Sequence, residues 1–116
     1  MRLREFITEA ITIGDEYSAK NVLTYIKNNH HDWNSELDQH IRAYPTWQLK
    51  MRNLAELTPQ HVDQDYAEDL AATTDFTLPK FHPPVVDTDG YIFDGNHRTA
   101  AAQLKGLKAI PVLEPK

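Results

Sequence analysis

The sequence predicts an α+β fold in one compact domain, with a helical N-terminal extension over residues 1–44 and a core of short strands and helices over 45–116. Three observations carry this. Apolar residues recur every three or four positions up to residue 44, then every second position from Trp47. Near the C-terminus an apolar triplet, Tyr91-Ile92-Phe93, runs through a glycine turn into an alanine-rich stretch. A chain of 116 residues has room for one hydrophobic core.

Taken in order, Leu3, Phe6, Ile7, Ala10 and Ile11 form an amphipathic stripe that predicts a helix over 2–12. Gly14 interrupts it, and Asp15 or Ser18 caps a second helix bearing Val22, Leu23 and Ile26. A third begins after Asn34 or Ser35, carries Leu37, Ile41 and Tyr44 on one face, and stops at Pro45. Trp47, Leu49 and Met51 alternate with Gln48, Lys50 and Arg52, the pattern of a half-buried strand. Thr58-Pro59 reads as a cap and first-turn pair for a helix with Val62, Tyr66 and Leu70 on one face. The proline-rich segment 79–84 delivers an extended chain to Val85-Val86, and Asp87-Thr88-Asp89-Gly90 turns it into a hairpin. A helix from His97 to about Lys105 follows, Gly106 occupies the position after its end, and Ala109–Leu113 forms a last strand, placed near a sheet edge by Pro111.

Composition narrows the chemistry. The absence of cysteine excludes disulfides, thiolate metal sites and cysteine nucleophiles. No apolar run approaches the ~20 residues of a membrane span, and the N-terminus alternates charge with apolar residues, so a soluble cytoplasmic protein with no membrane partner is expected. A net charge of −5 argues against broad binding to a nucleic-acid backbone. Asp63, Asp65, Glu68, Asp69 and Asp75 crowd one stretch without a lysine or arginine among them, so an anion site is expected in the C-terminal third.

There, Asp94-Gly95-Asn96-His97-Arg98 joins a strand to a helix. The first amides of a helix lack internal partners and sit at the positive end of its dipole. A glycine lets the backbone approach a ligand, and a first-turn arginine offers a fork to a phosphate or carboxylate. The same residues also admit a plainer account, with Asp94 a cap, Gly95 a turn residue and Arg98 a surface ion pair.

The segment from Pro84-Val85-Val86-Asp87 through Asp94-Gly95-Asn96-His97-Arg98-Thr99-Ala100-Ala101-Ala102 to Gly106-Leu107-Lys108-Ala109-Ile110-Pro111-Val112 resembles the core of the ParB/sulfiredoxin superfamily. The resemblance covers about 84–113 and reaches more weakly back to Trp47. It implies a small mixed sheet of that type and a Gly-x-x-Arg turn that holds nucleotide phosphates, here Gly95, Asn96, His97, Arg98 and Thr99. Sulfiredoxins carry their reactive cysteine where Asn96 stands, so their reductase activity is excluded. The Asp-Gly-x-His-Arg form is similar to the free-serine kinase branch and to small phage or bacterial ParB-like proteins.

What the resemblance implies is a nucleotide di- or triphosphate with Mg2+ as ligand, and an ATPase or small-molecule phosphotransferase as activity. Asp94 is then the candidate general base or magnesium contact, His97 a second catalytic candidate, and Glu68 and Asp69 candidate cleft carboxylates. Two other readings stand beside it: a non-catalytic interaction module docking a protein partner through the N-terminal helices, and a ParB-like DNA-binding or nuclease protein, which the net charge disfavours. Arg98, read as an exposed first-turn residue, is expected to tolerate replacement by alanine without loss of folding.

Overall fold

A computed structural model of the chain describes residues 12–29, 35–78 and 80–116. The helix expected over 2–12 lies outside these, apart from Thr12. Strand β1 (Glu16–Ser18) leads into helix α1 (Ala19–Asn29), then come α2 (Ser35–Arg42) and β2 (Thr46–Asn53). A 3-10 turn at Leu54–Glu56 precedes α3 (Gln64–Thr73), β3 (Val85–Val86), β4 (Ile92–Asp94), α4 (Asn96–Leu104) and β5 (Ala109–Pro115). The strands form one mixed five-stranded sheet in the order β1-β2-β5-β3-β4, with β3 parallel to β5 and the other pairs antiparallel.

Strand alternation divides the core between the two sheet faces. Trp47, Leu49, Val85 and Leu113 meet Val22, Tyr25 and Ile26 of α1 and Ile41 of α2. On the other face Val86, Ile92, Ile110 and Val112 meet Ala102 of α4 together with Leu54, Leu57 and Phe81. Tyr17, α1 and α2 therefore share one core with the sheet. Ser18 caps α1, its Oγ accepting from the Asn21 amide at 3.1 Å, and the Trp47 indole donates to the Tyr44 carbonyl at 3.0 Å.

The mixed α+β class is as expected, the hairpin expected over 85–93 runs one residue further to Asp94, and four other details differ. Residues 16–18 pair with β2 as an edge strand; with Tyr17 as their one apolar residue they are too short for a periodicity to show. Strand β5 lies in the middle of the sheet rather than near its edge. Leu113 donates to the Pro84 carbonyl at 2.8 Å, so Pro111 and Pro115, of the same parity, turn their nitrogens to the β3 side. Strand β3 pairs with β5 only at Leu113, so neither proline costs a hydrogen bond to β2.

The third difference is the start of α3. Its cap is Asp63, whose Oδ1 accepts from the Tyr66 amide at 3.2 Å, while Thr58 forms a parallel bridge with Tyr91. The helix packs on α4 through the small Ala67, and Tyr66 is 51% exposed. Fourth, Met51 at the far end of β2 is exposed, although it continues the alternation of Trp47 and Leu49.

Candidate functional site

The site begins with a register shift. Val85 faces Asp94 and Val86 faces Ile92, which leaves Phe93 as the extra residue of a β-bulge. Phe93 thereby packs edge-on against Trp47, ring centroids 6.2 Å apart, and Asp94 ends the strand almost completely buried. Gly95 follows in the left-handed region at φ +99°, ψ 27° and starts α4 without a side-chain cap. A Cβ at Gly95 would come within 2.8 Å of Pro84 Cβ and of Arg98 Nη2, so glycine is needed for space as well as for φ. The Gly95 carbonyl accepts from both the amide and the hydroxyl of Thr99, each at 2.9 Å.

Because no side chain caps this helix, the amides of Asn96, His97 and Arg98 have no acceptor among the described residues. The Arg98 guanidinium folds back one turn and donates from Nη2 to Asp94 Oδ2 at 3.0 Å. The side chain of Arg98 is 19% exposed and that of Asp94 is 1% exposed, so this is a buried ion pair rather than a surface one. Burial pulls the guanidinium pKa down, but the facing Tyr25 and Asp94 outweigh it and hold the group above its ordinary value. Tyr25, buried against them, is raised well above the usual phenol range by desolvation, and its hydroxyl donates to the Pro83 carbonyl at 2.7 Å.

Asn96 and His97 face another way. Asn96 Oδ1 accepts from the Gln60 amide at 2.9 Å, and His97 Nε2 accepts from the Asp63 amide at 2.9 Å. With Nε2 accepting, the proton of the neutral ring lies on Nδ1. The imidazole also packs against Tyr66, ring centroids 4.9 Å apart. The first turn of α4 thus holds the loop before α3 in place. Within that loop His61 adopts φ +53°, a left-handed conformation uncommon outside glycine.

These elements enclose a cleft of about 930 Å³. It is lined by Gly95–Arg98 of the turn and α4, by α3 and the loop before it, by α2, and by the hairpin from Asp87 to Asp94. The structure places Asp94, Gly95, Asn96, His97 and Arg98 along the cleft. It does not so place Thr99, which is fully buried with its hydroxyl committed to Gly95. Glu68 and Asp69 lie on the exposed side of α3 and do not line the cleft. Arg98 is the further correction, since it is buried and paired instead of exposed.

Sequence reasoning missed Glu36, His40, Asp87 and Asp89 as cleft residues. Nothing local marks them, because they reach the cleft from α2 and from the hairpin turn. Among the described residues no group of three or more histidines and carboxylates is placed to hold a metal ion, and no helix is long and apolar enough to cross a membrane.

No protein-family model and no curated protein matches the chain. A solved structure of a Pnob8-like ParB-N domain is similar to it at 14% identity and a TM-score of 0.41. The match covers 59% of this chain and 28% of that chain, so this chain spans under a third of its length.

Proposed function

We propose that the cleft binds a nucleotide or a related phosphate compound, with a phosphate seated at the head of α4. The observation that carries this reading is the set of amides without an acceptor among the described residues at Asn96, His97 and Arg98, three residues that line the cleft. Gly95 supports it because a Cβ there would crowd the Arg98 guanidinium at 2.8 Å. Asp94 is a positioning residue in this reading: its carboxylate holds Arg98, and a cation at the same oxygens would meet the guanidinium, so Asp94 does not fit as a magnesium ligand. Asp87 and Asp89, which line the cleft, are the carboxylates that would meet a magnesium ion brought by the phosphates.

The reading is of a binding domain. Hydrolysis or phosphoryl transfer asks for a carboxylate free to orient a nucleophile, and the carboxylate nearest the turn is committed to Arg98. His97 likewise has its Nε2 engaged by Asp63. Titration of 15N-labelled protein with inorganic phosphate and with nucleotides tests the proposal. The amide resonances of Asn96, His97 and Arg98 are expected to move together and saturably; a titration that leaves them still while shifting others would refute it.

A further inference from the structure

The loop before α3 is held to α4 at two points, and only one of them is indifferent to pH. Residues 59–63 run from the bridge at Thr58 to the cap of α3. The Gln60 amide donates to Asn96 Oδ1 and the Asp63 amide to His97 Nε2, both at 2.9 Å. Among the described residues no other amide of this loop finds an acceptor. Between the two ties His61 is kept at φ +53°, a conformation that a residue with a Cβ holds only where its surroundings impose it.

The amide oxygen of Asn96 accepts at any pH. An imidazole nitrogen does not: Nε2 accepts while the ring is neutral and becomes a donor once the ring takes a second proton. The imidazolium would set its own N–H against the N–H of Asp63, so this bond exists only with the neutral ring. The other contact of the ring survives the change, because the Tyr66 ring, 4.9 Å away, attracts a cation as well as packing on a neutral imidazole. His97 is half-buried and lines the cleft, which gives protons a route to it.

Asp63 and Tyr66 face His97 from α3, and the Asp94–Arg98 pair stands beside it in its own turn. Glu36 and His40 of α2, His61 of the loop, and Asp87, Asp89 and Tyr91 of the hairpin line the same cleft. Carboxylates and phenols ordinarily titrate far from the imidazole range, which leaves His40 and His61 as the groups to be told apart from His97. His40 is engaged elsewhere, against the Phe93 ring and 3.9 Å from Glu36.

We infer that His97 is an acid-released latch on the cleft wall. Neutral, it holds the start of α3 against α4. Protonated, it lets go of the Asp63 amide, the left-handed turn at His61 relaxes, and the wall that carries Gln60, His61 and Tyr66 slackens. The latch operates whether or not the cleft takes a phosphate.

Solvent exchange of the backbone amides in the 15N-labelled full chain, referred at each pH to the intrinsic rate, tests this between about pH 8 and pH 5, with the His97 ring followed through its own 15N shifts. Protection of the Asp63 amide is expected to fall by about fivefold in step with the titration of the His97 ring, and that of the Gln60 amide to fall less. His97→Gln supplies an acceptor oxygen that takes up no proton and is expected to abolish the fall, whereas His40→Gln and His61→Gln are expected to retain it. Protection at Asp63 that stays constant while the His97 ring titrates overturns the inference, and the wild type alone decides this. A fall that persists undiminished in His97→Gln overturns it as well.

Discussion

His97, in the first turn of α4, accepts a hydrogen bond at Nε2 from the backbone amide of Asp63, the residue that caps α3. One imidazole thereby ties the start of one helix to the start of another, and its neighbour Asn96 does the same for Gln60. His97→Phe keeps a ring against Tyr66 but removes the acceptor. Hydrogen exchange at the Gln60 and Asp63 amides is expected to quicken in this variant, with a loss of about 1 kcal/mol in stability. Unchanged exchange there would mean that the loop is held by other contacts.

Arg98→Ala is expected to unfold the protein more readily, contrary to the expectation from sequence. It strands the carboxylate of Asp94, which is 1% exposed, and breaking a buried pair from one side costs about 3–5 kcal/mol. Urea denaturation of Arg98→Ala and of Asp94→Asn should show large losses in both. A loss below about 1 kcal/mol in either would place that pair in the class of surface salt bridges.

Gly90 closes the hairpin turn at φ +92°, and a Cβ there would lie 2.0 Å from the Glu56 carbonyl oxygen. Gly90→Ala is expected to cost about 1–3 kcal/mol from the backbone conformation, with the overlap against a neighbouring main chain added to it. Gly95→Ala meets the same conformational penalty and crowds Pro84. Thermal melts of the two variants should rank Gly90→Ala as the more destabilised, since backbone yields less than a side chain does.

Glu114 of β5 is buried between Arg52 and Lys50 of β2, with Lys50 Nζ 3.1 Å from its Oε1. Burial tends to lower the pKa of Arg52, but the hydrogen bond and charge of Glu114, with Glu56 beyond, hold it above the ordinary value. Glu114→Gln leaves both cations without their buried counter-charge, and a loss of about 3 kcal/mol is expected in equilibrium unfolding. Arg52→Met combined with Glu114→Leu should recover much of it, since apolar replacement of a buried pair is often neutral.

Alkaline pH tests the core from another side. Desolvation, with Asp15 adding to it, pushes the Tyr17 phenol from 10.0 up to about 12, and burial raises Tyr25 further. The folded chain thus keeps these protons at a pH where the unfolded chain has lost them. The stability they confer is complete below pH 10 and drains away as the pH rises toward 12 and beyond. The urea midpoint is expected to fall steadily over that window, and Tyr25→Phe should blunt the fall.

Much of this was legible in the chain itself. The helices bearing Val22, Leu23, Ile26 and Ile41, the strand of Trp47 and Leu49, the hairpin at 85–94 and the glycine turn into α4 all follow from local periodicity and turn chemistry, which neighbouring residues are enough to dictate. The Asp94–Arg98 segment stood out for the same reason, because a strand, a glycine and a helix start are contiguous. Tertiary structure alone decided what these residues do. Strand β5 became central because its prolines happen to share a parity that spares the β2 ladder. Arg98 turned inward because Asp94 is buried one turn below it, and Asn96 and His97 were drawn to a loop more than thirty residues away. The acidic walls of the cleft come from α2 and the hairpin turn, brought opposite α4 by packing. Periodicity reports which face of an element is apolar; which distant charge a polar side chain will meet depends on how the elements are stacked, and that information is spread across the whole chain.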